Sequence, residues 1–338
     1  MRPLRYAEVA ARFPWLERVK VATESYLNED RHLVGVSGGA DSRVLIHILL
    51  LVGFQKLVIC HLDHNLRGAE STEDRKFVCR LARRLRIPIY VESLSGLPET
   101  GSLETAARAA RFEFFARAAE RDETQSLILA HHADDQVETF LINLFRGTGS
   151  FDNAAIKPES RIRVGGKTLI VRRPLLDVWK HEIYEFAARL GLKFREDVTN
   201  ASRKMLRNRV RNDLIPEIER IMGRPIKKSL LRTIELATSE GELLKSLVPE
   251  TALRTELETR LLRKLPVPIQ RRTIHAWLRN QGITDYGFDE IESVRSLLDR
   301  IEIAKTNLPR GIFCRRKAGQ LFLEFPDSAE GASSPKRS

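Results

Sequence analysis

Ser37-Gly38-Gly39-Ala40-Asp41-Ser42 sets two hydroxyls, two adjacent glycines and a carboxylate between apolar runs at Leu33–Val36 and Val44–Leu49. Adjacent glycines permit positive φ and let backbone N–H groups come close to a ligand. A helix beginning at such a turn adds unpaired donors and a partial positive charge, which favour an anion. Phosphate is the chemistry this combination serves best; a tight turn capped by Ser or Asp is the plain alternative. No lysine closes the loop, so the G-x-x-x-x-G-K-S pattern is not met, and neither is G-x-G-x-x-G.

Four further stretches carry groups that could act beside a phosphate. HLDHNLRGAES (61–71) offers Asp63, His64 and Arg67. A zinc site on His61 and His64 is weakly supported, because their spacing suits a helix face while the segment reads as a strand entering a loop. HHADDQVET (131–139) holds His132 with Asp134 and Asp135 at a helix start, where carboxylates also serve as caps; Asp134 and Glu138 share a face at i, i+4. Arg108 and Arg111 share a helix face at i, i+3, read either as a solvated stripe or as phosphate neutralisers. RRPLLDV (172–178) precedes Arg207-Asn208-Arg209 and Arg211-Asn212, which are dense in planar donors suited to RNA phosphates.

These residues need elements to hold them, and the pattern supplies an alternation. HLVGV, KLVICHL, PIYVESL and SLILAHH read as strands. SRVLIHILLLVG, the segment 69–85 with Phe77, Val78, Leu81 and Leu85 in helical spacing, the Ala/Arg-rich 102–122, and DDQVETFLINLFRG closed by Gly147 read as helices. Four strand–helix repeats predict an α/β class with a mainly parallel sheet, whose ligands bind at the carboxyl ends of the strands. Ser37–Ser42, His61–Arg67 and His131–Asp135 all fall there. Residues 148–168 lack periodicity and read as a loop. A short strand, a proline turn and a helix follow. From about residue 213 the chain reads as mainly helical, ending in two short strands around Ala318-Gly319. The expected division is 1–215 for a nucleotide-binding domain, 216–326 for a helical module with a small C-terminal strand pair, and 327–338 for a disordered tail.

Composition bounds the function. No apolar run approaches the ~20 residues that span a bilayer, and the N-terminus lacks the apolar core of a signal peptide. A cytoplasmic location without membrane contact is expected. Three cysteines, Cys60, Cys79 and Cys314, lie far apart in sequence and form no C-x-x-C, and Cys60 in its apolar run reads as a buried small residue. The net charge of +12 favours a polyanionic partner. Residues 201–230 hold nine Lys/Arg against three acids, a local excess that fits a phosphate-binding stripe.

The loop S-G-G-x-D-S after a first strand resembles the pyrophosphate loop of the N-type ATP pyrophosphatases, the PP-loop superfamily, which split ATP between its α and β phosphates. H-x-D-H-x-L-R, the E-x-A-R-x-x-R helix, H-x-D-D-Q-x-E-T followed by LFRGTG, and Glu196-Asp197-x-Thr199-Asn200 ahead of Arg207, Asn208, Arg211 and Pro216 together resemble the tRNA(Ile)-lysidine synthetase family over residues 30–216. The resemblance implies a PP-loop nucleotide-binding domain using ATP and magnesium. It implies a nucleotide site at Ser37, Gly38, Gly39, Ala40, Asp41 and Ser42, and catalysis by Asp41, Arg111, His132, Asp134 and Asp135. Asp41 and Asp134 would hold the metal, and Asp63, His64, Arg67, Arg108, Glu138, Arg207 and Arg211 would contact substrate or tRNA. The implied partners are L-lysine and isoleucine tRNA with a CAU anticodon, joined at C2 of the wobble cytidine; homodimer formation stays open. The C-terminal part resembles the shorter members, without the further domain of the longer ones. A tRNA thiolase or a small-molecule ligase such as NAD synthetase of the same superfamily, and a non-catalytic RNA-binding protein, are the competing classes. The thiolases commonly use paired cysteines, a small-molecule ligase would not need the basic 201–230 segment, and intact Ser37, Asp41, Asp134 and Asp135 argue against a non-catalytic fold.

Overall fold

The structure, a computed structural model, describes residues 6–29, 31–63, 69–94, 103–147, 155–195, 205–283, 285–299 and 302–326. Helices α1 (Tyr6–Ala10) and α2 (Trp15–Glu24) lead into the alternation β1 (His32–Gly35), α3 (Ala40–Leu51), β2 (Leu57–Asp63), α4 (Ala69–Leu85), β3 (Ile89–Ser93), α5 (Leu103–Arg121), β4 (Ser126–Ile128) and α6 (Ala133–Phe145). The hairpin β5 (Glu159–Val164) and β6 (Lys167–Arg172), then α7 (Lys180–Arg189), complete the sheet layer. Strand order is β3-β2-β1-β4-β6-β5; all pairings are parallel except β5 against β6. Crossovers run from β1 toward β2 and then back to β4, so the order reverses beside β1, where open α/β sheets bind ligands.

Alternation along β1 decides which layer each residue serves. Val34 packs with α2, α3, α4 and α7 on one face, and Leu33 packs with Phe112, Phe114 and Phe115 of α5 on the other. Burial on both faces explains why the parallel strands read as nearly unbroken apolar runs. The loop expected over 148–168 instead contains most of the edge hairpin. In β5 only Ile162 and Val164 supply large apolar side chains, both half-buried, so its apolar signal is faint. Its turn is Gly165-Gly166, both at positive φ, as a two-residue hairpin requires.

The residues up to Ile142 and from Ile156 to Leu231 form one compact unit, and those from Arg232 onward make up most of a second. The first also holds α8 (Leu206–Arg209), a single π-helical turn at Val210–Leu214, α9 (Ile215–Met222) and the start of α10 (Lys227–Ser246). In the second, α11 (Thr259–Arg263), α12 (Val267–Asn280) and α13 (Phe288–Asp299) pack with a sheet around fully buried Trp277, Val294 and Leu297. The expected strand pair, β9 (Phe313–Lys317) and β10 (Gln320–Glu324), turns at Ala318-Gly319. It is the middle of a four-stranded antiparallel sheet with β7 (Leu257–Glu258) and β8 (Lys305–Asn307) at its edges. Those edges are two and three residues long, too short to leave a periodic trace. Among the described residues no helix is long and apolar enough to cross a membrane. The tail at 327–338 lies outside the described residues.

Candidate active site

The loop after β1 is closed by its own serines. The Gly39 N–H donates to Ser37 Oγ at 3.3 Å, the Gly38 N–H donates to Ser42 Oγ at 3.3 Å, and the Ser42 hydroxyl donates to the Gly39 carbonyl at 3.2 Å. Gly38 sits at φ +99°, where a side chain is strained. His61 Nδ1 meets the Val36 carbonyl at 2.8 Å, and the Arg195 N–H donates to the Gly38 carbonyl at 3.1 Å, so neighbouring segments fix the loop. The first-turn N–H groups of α3 have no intrahelical partners.

Beside the loop is a cavity of about 230 Å³. Its apolar wall is Cys60, Leu62, Phe115 and Leu129; its polar wall is Ser37, Asp41, Ser42, Arg111 and His131. Gly35 makes this wall tight, since a Cβ there would stand 2.6 Å from Leu129 Cδ2 and 3.1 Å from the Phe115 ring. Burial pushes the Cys60 thiol up, which makes it a wall and not a nucleophile.

Past β4 the chain turns at His131-His132 into α6, and three carboxylates gather around His132. Its Nε2 lies 3.8 Å from Asp41 Oδ2 and 3.6 Å from Asp135 Oδ2, and its Nδ1 lies 3.7 Å from Asp134 Oδ2. Asp135 also accepts the His132 N–H at 3.0 Å, the capping role expected of a helix start. Asp134 accepts from Lys227 Nζ at 2.8 Å and from the Lys180 backbone N–H at 2.9 Å. Burial works to raise Asp134, but those donors outweigh it and hold the carboxyl below the usual carboxylate range. Asp41 is different. Burial raises its pKa against the pull of His132 and Lys180, and its Oδ1 is buried without a partner.

Glu138, 1% exposed, receives two hydrogen bonds from Arg211, at 2.6 and 2.9 Å, while Arg211 also lies 3.5 Å from Asp135. Arg207 donates to Thr139 Oγ1 at 2.6 Å and stands 3.6 Å from Glu138. Both arginines, expected on a phosphate-binding stripe, are thus turned onto α6. The π-helical turn that carries Arg211 is a local irregularity of the kind that occurs at functional sites. On α5, Arg108 and Arg111 stack 5.1 and 6.0 Å from the Phe112 ring. Burial, then repulsion from Arg108 and Arg207, lowers Arg111 to about 10, and its Nε is buried without a partner. His131 is driven down to about 3, first by burial, with Arg173, Arg111 and Arg207 opposing the pull of Asp135. A neutral imidazole and crowded guanidiniums make a chamber suited to an anion.

The structure therefore brings together Ser37–Ser42, Arg108, Arg111, His132, Asp134, Asp135, Glu138, Arg207 and Arg211. Asp63 closes β2, one strand from the loop, and is buried. His64, Arg67 and Glu196–Asn200 lie outside the described residues. Sequence reasoning missed Lys180, placed His131 at the strand end without giving it a role, and read Lys227 as one of many basic residues. Only the His-His doublet marked His131, and a backbone N–H such as that of Lys180 leaves no sequence signal. Among the described residues no three His, Cys, Asp or Glu side chains converge to hold a metal by themselves. A magnesium ion shared with phosphate oxygens needs only one or two carboxylates, and the unpartnered Asp41 Oδ1 fits that demand.

Two families match the chain: a PP-loop domain over residues 15–218 and a TilS substrate binding domain over residues 257–322. The tRNA(Ile)-lysidine synthase of Geobacter sulfurreducens is 35% identical over 310 residues, covering 86% of this chain and 64% of the relative. That of Synechocystis sp. is 31% identical over 311 residues, covering 88% and 92%. That of Bacillus subtilis is 33% identical over 276 residues, covering 77% and 56%. The chain spans about half to two thirds of the length of the first of these curated relatives. Among solved structures, the U34-tRNA thiolase NcsA of Methanococcus maripaludis, with its [4Fe-4S] cluster, superposes with a TM-score of 0.51 at 18% identity, over 66% of this chain and 79% of that one. That likeness is one of fold.

Proposed function

The chain belongs to the PP-loop family and, within it, to the tRNA(Ile)-lysidine synthases, and from that premise we propose that it joins free lysine to C2 of the wobble cytidine of isoleucine tRNA with a CAU anticodon. ATP lies in the cavity, its pyrophosphate cradled by Ser37–Ser42. The C2 carbonyl oxygen attacks the α phosphorus, forming an O–P bond as the bond to pyrophosphate breaks. Arg111, with Arg108 beside it, neutralises charge on the phosphates during that step. The ε-amine of lysine then attacks C2, the C2–O bond breaks, and AMP leaves with the oxygen. The amine must shed a proton, and Asp135 with His132 stands where a base is needed. Magnesium, when bound, would lie against Asp41 and supply charge neutralisation for the phosphates; Asp134, already met by Lys227 and the Lys180 N–H, would be the second carboxylate near it or the anchor for a substrate ammonium.

The observation that carries this reading is Asp41: a carboxylate with one buried unpartnered oxygen, set between the serine-closed loop and the His132–Asp135 cluster. The test is incubation with ATP, labelled lysine and the isoleucine tRNA transcript. Lysine enters the RNA with release of AMP, and Asp41→Ala abolishes this without loss of tRNA binding. Absence of label in RNA from folded protein across a range of magnesium concentrations sinks the proposal.

A further inference from the structure

The loop after β1 is held from outside as well as by its own serines. Beyond α7 the chain leaves its helix at Gly191, which sits at φ +59°, and runs without regular structure to Arg195. The Leu192 N–H donates back to the Ala187 carbonyl at 2.9 Å. Leu192 and Phe194 then pack against the core, and Phe194 meets the Tyr184 ring edge-on at 5.3 Å. Arg195 follows, and its Nε pairs with Asp74 Oδ1 on α4. Glu73, the adjacent acid, is met by Lys76 at 2.8 Å.

One face of α4 meets both the loop and this segment. Asp74, Phe77 and Val78 stand at i, i+3 and i+4 and so share that face. A Cβ built on Gly38 would come within 3.3 Å of Val78 Cγ2 and 3.7 Å of Phe77 Cδ1. The Arg195 N–H donates to the Gly38 carbonyl at 3.1 Å, and the Arg195 carbonyl oxygen lies 4.0 Å from where a Cβ of Gly39 would be. Gly38 is thus enclosed between α4 and residue 195, and Asp74 ties residue 195 to α4.

The peptide between Gly38 and Gly39 is what this arrangement governs. With glycine on both sides it turns over at little steric cost. A trans peptide points its C=O and N–H in opposite directions, so a donor that holds the Gly38 carbonyl also sets the Gly39 N–H. That N–H rests on Ser37 Oγ at 3.3 Å, a long bond that an incoming anion can replace. We propose that Arg195 is a positioning residue for this loop: pinned to α4 by Asp74, it keeps the Gly38–Gly39 peptide turned so that the Gly39 N–H is presented to a pyrophosphate group. Both side chains of the ion pair are partly exposed, and such a pair adds little to stability, so its effect falls on the loop and not on the fold. The inference rests on the reading of the loop as a pyrophosphate cradle.

The test uses the full chain as wild type, as Asp74→Asn, as Arg195→Gln, as the double variant and as Arg195→Lys. Two quantities are read: the affinity for magnesium pyrophosphate by calorimetry, and amide hydrogen exchange at Arg195 without ligand. Asp74→Asn and Arg195→Gln each bind pyrophosphate about fivefold more weakly, the double variant no more weakly than either, and Arg195→Lys close to wild type. Exchange at the Arg195 amide quickens in Asp74→Asn, while melting temperature and tRNA affinity hold. Unchanged pyrophosphate affinity in the folded single variants overturns the inference, as do losses that add up in the double variant or unchanged exchange at Arg195. Quickened exchange in Asp74→Asn, with a wild type that binds no pyrophosphate, leaves the Asp74–Arg195 clamp standing and removes the reading of the loop's ligand.

Discussion

Asp41 and Asp134 stand at the same rim within reach of one histidine, yet their surroundings drive them apart: burial raises Asp41, and Lys227 with the Lys180 N–H lowers Asp134. Opposite displacements of neighbouring carboxylates are how a site keeps one as a firm anion and the other sensitive to what binds. Two outcomes follow. Lys180 helps hold Asp41 ionised, so Lys180→Met moves the acid limb of AMP formation to higher pH, read from a pH profile at saturating tRNA. Asp134 has a folded pKa below its ordinary 3.8. It therefore adds stability that is present above 3.8 and lost as pH falls through the lower folded value. Lys227→Met costs about 1 kcal/mol at neutral pH, discounted for the lysine's partial exposure, and the difference closes in strongly acid solution. Denaturant titrations at pH 7 and at a series of pH values falling below 3.8 check both signs. At this scale the sequence was legible where a residue type has few uses: Gly38-Gly39 before a helix, and paired aspartates at a helix start. It marked Arg207 and Arg211 as RNA contacts but not their pairing with α6, because a guanidinium suits RNA phosphate and a buried glutamate equally well.

The elements explain how distant segments meet at that rim. β1 and β4 are adjacent in the sheet though α3, β2, α4, β3 and α5 lie between them in sequence, so the loops after both strands open on one crevice. That could be foreseen, because apolar runs separated by amphipathic helices permit few other arrangements. The β5 hairpin and the π-helical turn could not: an edge strand with two apolar side chains carries little periodicity, and a single inserted residue in a helix has no composition signal. The turn matters because it presents Arg211 to Glu138. Arg211→Met removes both hydrogen bonds to a nearly inaccessible carboxylate, leaving it only Arg207 at 3.6 Å, and costs about 3 kcal/mol of stability in urea unfolding. Arg211→Met with Glu138→Gln recovers part of this stability. Gly38→Ala acts differently. Its strain at φ +99° falls on the loop, so ATP affinity drops about tenfold in equilibrium dialysis while the melting temperature moves little.

Across the whole molecule, the net charge of +12 favours a polyanionic partner, although Arg211 at the rim and Arg117, Arg220 and Arg310 on the surface are paired with carboxylates. Within the basic segment 201–230, Arg207, Arg211 and Lys227 bond to residues of α6. Sequence alone could count the charges and not their partners, since partners come from the tertiary fold. The order of events is what the proposed reaction stands on: ATP adenylates the RNA first, before lysine is consumed. ATP radiolabelled at the α phosphate, mixed with tRNA transcript and no lysine, reads that order. Label is expected on the RNA, to be discharged as AMP when lysine is added. Label that reaches lysine without RNA, or never reaches RNA in a protein that still incorporates lysine, contradicts it.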